Sequence, residues 1–152
     1  MALASTRDLQ ILAALVLARA GDTTRAESMA NDLEKRSPLN TVLNSFWLPA
    51  IRASVELNRE RPDKAVELLR AASAYELGVP NPQPQAWGTL YPVYVRGEAY
   101  LKAGDGPKAE GEFQKLIDHR SILQNFVLGA LAHLQLGRAK VVSGDKEGAR
   151  KA

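Results

Sequence analysis

Four segments of the 152-residue chain repeat one pattern: a helical stretch, a tight turn, and a second helical stretch with Ala near its start. They read LARAGDTTRAESMANDLEKRSP, ELNRERPDKAVELLRAA, YLKAGDGPKAEGEFQKLI and KVVSGDKEGARKA. Gly21, Glu60, Gly104 and Gly144 share one register, and Ala26, Ala65, Ala109 and Ala149 follow five residues later in each case. The turn anchors are 39, 44 and 40 residues apart. A helix–turn–helix unit recurring at such a period buries its apolar faces by stacking on its neighbours.

The turn has a chemical logic. Gly enters the left-handed conformation that ends a helix. Asp22, Asp105 and Asp145 follow it and are placed to cap the next helix. The second segment departs from this with Glu60-Arg61-Pro62, where Pro62 suits the first turn of a helix.

Apolar residues recur at helical spacing: Leu9, Leu12, Val16 and Ala20; Ala65, Leu68, Leu69 and Ala72; Phe113, Leu116 and Ile117. Ser5 with Asp8 is expected to open the first helix as a capping box. Helices are expected near 6–20, 23–36, 40–59, 62–75, 89–103, 106–118, 124–143 and 145–152. Pro49 falls inside the third and should kink it, or mark its true start nearby. Pro92 stands near the start of its helix. The stretch LGVPNPQPQAW, residues 77–87, holds three prolines and is expected to be a loop. The expected fold is all-α, an α-α superhelix of about eight helices in three and a half repeats. These lie near 6–38, 40–76, 89–120 and 124–152, with a Pro-rich loop at 77–88 and a truncated last repeat, in a single domain over 1–152.

Apolar residues make up 45% of the chain and aromatics 6%, a balance that suits close helix packing through small side chains. Lys and Arg number 20 against 17 Asp and Glu, and the signs are interspersed, so no basic stripe for nucleic acid is present. The absence of Cys excludes disulfides and thiolate metal sites. Leu9 to Leu17 with Ala18-Arg19-Ala20 has the outline of a secretory signal, but Asp8 and Gln10 break the required pattern. A buried amphipathic helix is expected instead, with a cytoplasmic location. No apolar run approaches the ~20 residues of a membrane span, so no membrane insertion is expected.

The turn and packing residues resemble the tetratricopeptide repeat, a helix–turn–helix unit of ~34 residues. The third segment is most similar, with Gly97, Tyr100, Gly104, Ala109 and Phe113 in pattern. The fourth offers Leu136, Gly137 and Ala149; the first, Ala14, Ala26 and Pro38; the second, Ala53, Ala65 and Leu69. Small residues at Gly97, Gly137, Ala14 and Ala53 let two helices approach, while Phe113 or Leu69 fills the gap beyond. The periods here exceed that of the family by several residues. Three phrases, LNSFWLPAIRA, LYPVYVRGEAYL and GEFQKLIDHRS, resemble the repeat tails that follow kinase domains in bacterial serine/threonine protein kinases.

The resemblance implies a concave groove lined by the first helix of each repeat. Carried over by register, the groove positions are Asp8, Ile11, Leu15 and Ala18; Trp47, Ala50, Ser54 and Leu57; Tyr91, Tyr94, Glu98 and Leu101; and Leu131, Leu134, Arg138 and Val141. Trp47, Tyr91 and Tyr94 are expected to form an aromatic floor for a peptide, with Glu98 and Arg138 setting its orientation. Ile11 and Leu15 stand where a carboxylate-clamp repeat carries Lys and Asn, so no such clamp is expected.

Catalytic motifs are missing from the sequence. There is no Gly-rich kinase loop, HRD or DFG; Asp118-His119-Arg120 is followed by Ser121 where an Asp is required. Gly104 to Lys108, GDGPK, lacks Walker spacing and lies between helices. His119 and His133, fourteen residues apart, have no metal-ligand spacing. The chain is therefore expected to be a non-enzymatic protein- or peptide-binding scaffold without cofactor or metal, from the regulatory tail of a larger bacterial signalling protein. It could also self-associate through its exposed terminal repeat. The rival expectations are a regulatory domain sensing a small peptide or metabolite in the groove and, more distantly, an enzyme on a helical scaffold.

Overall fold

The computed structural model describes residues 6–78, 90–123 and 127–152. It is all-α; no strand occurs among the described residues. Two compact units divide the chain, residues 1–72 and 73–152. The division falls just before the proline-rich stretch, most of which lies outside the described residues together with the helix starts expected at 89 and 124.

In the first unit, α1 (Arg7–Arg19) and α2 (Thr23–Arg36) form one hairpin. The second hairpin is α3 (Leu48–Asn58) and α4 (Pro62–Leu69), and α3 packs on both α1 and α2. In the second unit, α5 (Tyr91–Lys102) pairs with α6 (Gly106–Asp118), a single turn α7 (Arg120–Leu123) follows, and α8 (Leu128–Val142) packs on α6 and α5. The last helix, α9 (Lys146–Lys151), folds back on α8.

All four repeat turns have one geometry. Gly21, Gly104 and Gly144 have φ of 87°, 77° and 87°, and Glu60 takes the same left-handed region at 58°. At each turn the N–H after the left-handed residue donates to the carbonyl five residues back: Asp22 to Leu17, Arg61 to Glu56, Asp105 to Tyr100 and Asp145 to Lys140, all between 2.8 and 3.0 Å. These are Schellman turns, which satisfy carbonyls that a helix end leaves orphaned. The same Asp then caps the next helix: Asp22, Asp105 and Asp145 accept from the N–H groups of Arg25, Lys108 and Gly148. Arg61 makes no side-chain cap, and Pro62 supplies the preset φ instead.

Four local details differ from the expectations or go beyond them. Thr6 caps α1, its Oγ1 accepting from Leu9 N–H at 3.4 Å, and Ser5 lies outside the described residues. Pro49 is the second residue of α3 and so marks the start of that helix; a π turn, Leu43–Trp47, runs into it, and in that turn Leu48 N–H donates to Leu43 O. The proline has no N–H for the Ser45 carbonyl and its ring crowds that oxygen, so the helix widens by one residue per turn. Asn40 Oδ1 accepts from Leu43 N–H and closes the helix start. Finally, α4 tightens into a 3-10 turn at Arg70–Ala72 rather than running to 75.

The cores are built from small residues between large ones. Ala14, Ala26, Ala30, Ala53 and Ala65 are completely buried in the first unit beside Leu33, Phe46, Ile51 and Leu69. Phe113, Leu116, Leu90 and Val93 fill the second, with Ala109, Ala132 and Ala139 at the close approaches. On α1 the apolar stripe singled out from sequence is the wrong one. Leu9, Leu12 and Val16 are exposed, and Ile11, Ala14, Leu15 and Ala18 are buried against α2 and α3.

Candidate functional site: the outer face of α8 and α9

The first-helix positions expected to line a groove are used differently from repeat to repeat. Ile11 and Leu15 are 3% and 5% exposed, and Ala18, Ala50, Ser54 and Leu57 are also buried. Tyr94, placed on an aromatic floor by register, is a core residue at 3% exposure. Its ring meets Phe113 edge-on at 5.9 Å, and its hydroxyl accepts from Gln135 Nε2 at 3.1 Å. On α1 and α5 the face with these positions is occupied by the next first helix of the same unit, α3 and α8. Asn58 Nδ2 on α3 donates to Ala18 O on α1 at 2.8 Å, as Gln135 on α8 does to Tyr94 on α5. Ile11, Leu15 and Tyr94 thus cannot touch a ligand in this arrangement. Trp47 in the first unit is half-buried, edge-on to Phe46 at 4.9 Å, and Tyr91 and Glu98 in the second are half-buried.

The last repeat differs. Leu134 is 53% exposed, Val141 57%, and Arg138 is exposed, its guanidinium donating to Gln135 Oε1 at 3.3 Å. Between α8 and α9 these side chains border a shallow apolar cleft of about 330 Å³, lined also by His133, Gly137, Ala149 and Ala152. Gly137 sets its depth: a Cβ there would come 3.3 Å from Ala149 O, so α9 lies close on α8. Asp145 holds the entry to α9. The Gly148 N–H keeps its carboxylate below the usual range, with Lys140 adding to the effect.

A polar cluster lies elsewhere in the second unit. Glu76 is buried, while its neighbours Tyr75 and Leu77 are exposed. Its carboxylate receives Arg96, and also Lys115 Nζ at 2.6 Å; Arg96 reaches on to Glu112 at 2.6 Å and to Ser73 Oγ at 3.4 Å. Burial pushes the Glu76 carboxyl up, but the hydrogen bonds from Arg96 and Lys115 outweigh it and leave it below the usual carboxylate range. Burial likewise opposes the charge on Arg96, yet its bonds to Glu112 and Glu76 raise its pKa. Each charge is neutralised by its neighbours, which makes this cluster a brace that ties residues 73–76 to α5 and α6. Only its inverted polarity, a charge inside two apolar residues, could have marked it in the sequence.

His119 is the C-cap of α6, and His133 lies within α8. His119 Nδ1 is 2.9 Å from Lys115 O, and His133 Nδ1 is 3.1 Å from Ala152 O. Among the described residues no group of three His, Asp or Glu is placed to hold a metal, and no helix is long and apolar enough to cross a membrane.

The fold and the cleft together define an all-α protein of repeated helical hairpins with an uncovered apolar face at its last repeat. Comparison with family models, with curated proteins and with solved structures finds no match.

Proposed function

We propose that the chain is a non-catalytic scaffold that binds a protein partner, and that the cleft between α8 and α9 is where it does so. The observation that carries this is the exposure of Leu134 and Val141 around a concave apolar surface. An apolar depression edged by one cation, Arg138, suits an amphipathic helix that lays its apolar face into a groove. The resemblance to kinase-associated repeat tails extends the proposal to recruitment of a substrate or regulator within a larger bacterial signalling chain. Sensing of a metabolite has less support, because the cleft is shallow and mostly apolar.

The experiment is a selection of helical peptides bearing apolar residues at i, i+3, i+4 and i+7 against the whole chain. Binders should lose at least tenfold in affinity on Leu134→Asp or Val141→Asp and be indifferent to Arg70→Asp. A panel of binders insensitive to both cleft substitutions would sink the proposal.

A further inference from the structure

Residues 73–78 depart from the helical pattern and run as turns. Ser73, Ala74, Tyr75, Leu77 and Gly78 are exposed, and Glu76 alone is buried. None of the six belongs to the apolar core of the second unit. An apolar side chain is the ordinary way to fasten such a segment to a domain. Here a single carboxylate does it.

The groups that receive this carboxylate are positioned without it. Arg96 comes from α5 and Lys115 from α6, helices that pack on each other through Tyr94, Gly97 and Phe113. Glu112, one turn before Lys115 on α6, accepts from Arg96 Nη2 at 2.6 Å and fixes the guanidinium. Arg96 Nη1 then donates to one oxygen of Glu76, and Lys115 Nζ donates to the other at 2.6 Å. Each carboxylate oxygen thus has its own cation. Without Glu76, two cations face one carboxylate, Glu112, and a surplus of one positive charge remains around a guanidinium that is 9% exposed. Charge-assisted bonds to both oxygens are the arrangement that best selects a carboxylate.

We propose that Arg96 and Lys115 form a carboxylate-binding site that the chain closes with its own Glu76, and that an acidic segment of a partner protein competes for it and releases residues 73–78. The segment is then a latch with one bolt. Its own carboxylate stands at an effective concentration of about millimolar, which sets what a competitor must exceed. Segments held by few buried contacts open locally before the whole domain does, so the competitor has an open form to capture. The site shares no residue with the α8–α9 cleft and stands or falls independently of it.

The test uses the whole chain and the peptide SAYELG, residues 73–78, blocked at both ends so that its Glu side chain carries the only charge. The controls are SAYQLG and acetate. In Glu76→Gly the site lacks its internal carboxylate. SAYELG should raise the thermal midpoint of that variant saturably, because a ligand of the folded state alone stabilises it. SAYQLG should bind it about tenfold or more weakly, since it offers no charge to the two cations. Acetate at the same concentration should have no effect. Adding Lys115→Met to Glu76→Gly should reduce the preference for SAYELG over SAYQLG. In the wild type, millimolar SAYELG should speed amide exchange at residues 73–78 and leave α5 and α6 unchanged. Equal effects of the two peptides overturn the proposal, as does wild-type exchange at 73–78 that SAYELG leaves unaltered. A preference that survives Lys115→Met overturns it as well. Acetate as effective as SAYELG would overturn the assignment to a peptide and point to a small carboxylate. If Glu76→Gly shows no folding transition, the wild-type exchange decides alone.

Discussion

The Phe113 ring on α6 occupies the space that a side chain on Gly97 of α5 would need: a Cβ at that glycine would lie 2.6 Å from Cζ. Phe113 is fully buried, with Tyr94 edge-on to it, so the ring has little freedom to withdraw. Gly97→Ala forces an overpacked core, which costs about 1–3 kcal/mol. The better helix propensity of Ala returns roughly 0.5–1 kcal/mol of that. The expected outcome is a net loss of about 1–2 kcal/mol in urea unfolding. Adding Phe113→Leu should cost less in the Gly97→Ala background than in the wild type, and a strictly additive cycle would contradict the contact.

Glu60 is the one described residue other than glycine with positive φ, at the turn where the other repeats place Gly. A side chain in the left-handed region costs about 1–2 kcal/mol. Glu60→Gly should therefore stabilise the chain by about 0.5–1 kcal/mol after the greater entropy of glycine in the unfolded state is subtracted. Thermal unfolding with a midpoint at or below that of the wild type would show that the Glu60 side chain contributes more than its backbone strain removes.

Removing the charge at Glu76 leaves Arg96 with Glu112 alone and Lys115 without its carboxylate. Breaking a buried pair in this way costs about 3–5 kcal/mol, so Glu76→Gln should be severely destabilised. The pH dependence has a definite sign. A carboxyl whose folded pKa is depressed contributes stability that is present above its unfolded value and is lost as pH falls through the folded one. The wild type should therefore weaken on acidification below the ordinary carboxylate range, and part of that slope should be missing in Glu76→Gln. Equal acid slopes in urea titrations of the two proteins would refute this role.

A chaperone-type peptide ending in EEVD should not bind in a manner that depends on its free carboxylate. Ile11 and Leu15 offer no donor, and both are buried beneath α3. Isothermal titration with the free acid and the C-terminal amide should give indistinguishable, negligible heats; micromolar binding of the acid alone would contradict the prediction.

Helix boundaries were legible in this sequence because the turn chemistry is explicit. A left-handed Gly followed by a capping Asp stops one helix and starts the next within three residues at three of the turns, and Glu60-Arg61-Pro62 makes the fourth in the same register. The face of α1 was not legible. The run LQILAALVLA is apolar on nearly every side, so Leu9-Leu12-Val16 and Ile11-Leu15-Ala18 are equally good stripes, and only the position of α3 decides between them. The same cause explains the groove residues. Register marked Tyr94 and Leu134 alike, yet one is covered by α8 and the other is exposed. The Glu76 brace depends on partners 20, 36 and 39 residues away, at Arg96, Glu112 and Lys115, and no local pattern announces it.

The Schellman turns have a kinetic consequence. Each joins two helices through a connection of about three residues, and within each unit a helix packs chiefly on those next to it in sequence. Little loop entropy is lost before the first tertiary contacts form, and low contact order of this kind accompanies folding in microseconds to milliseconds. Within each unit either hairpin can serve as the nucleus on which the other then packs.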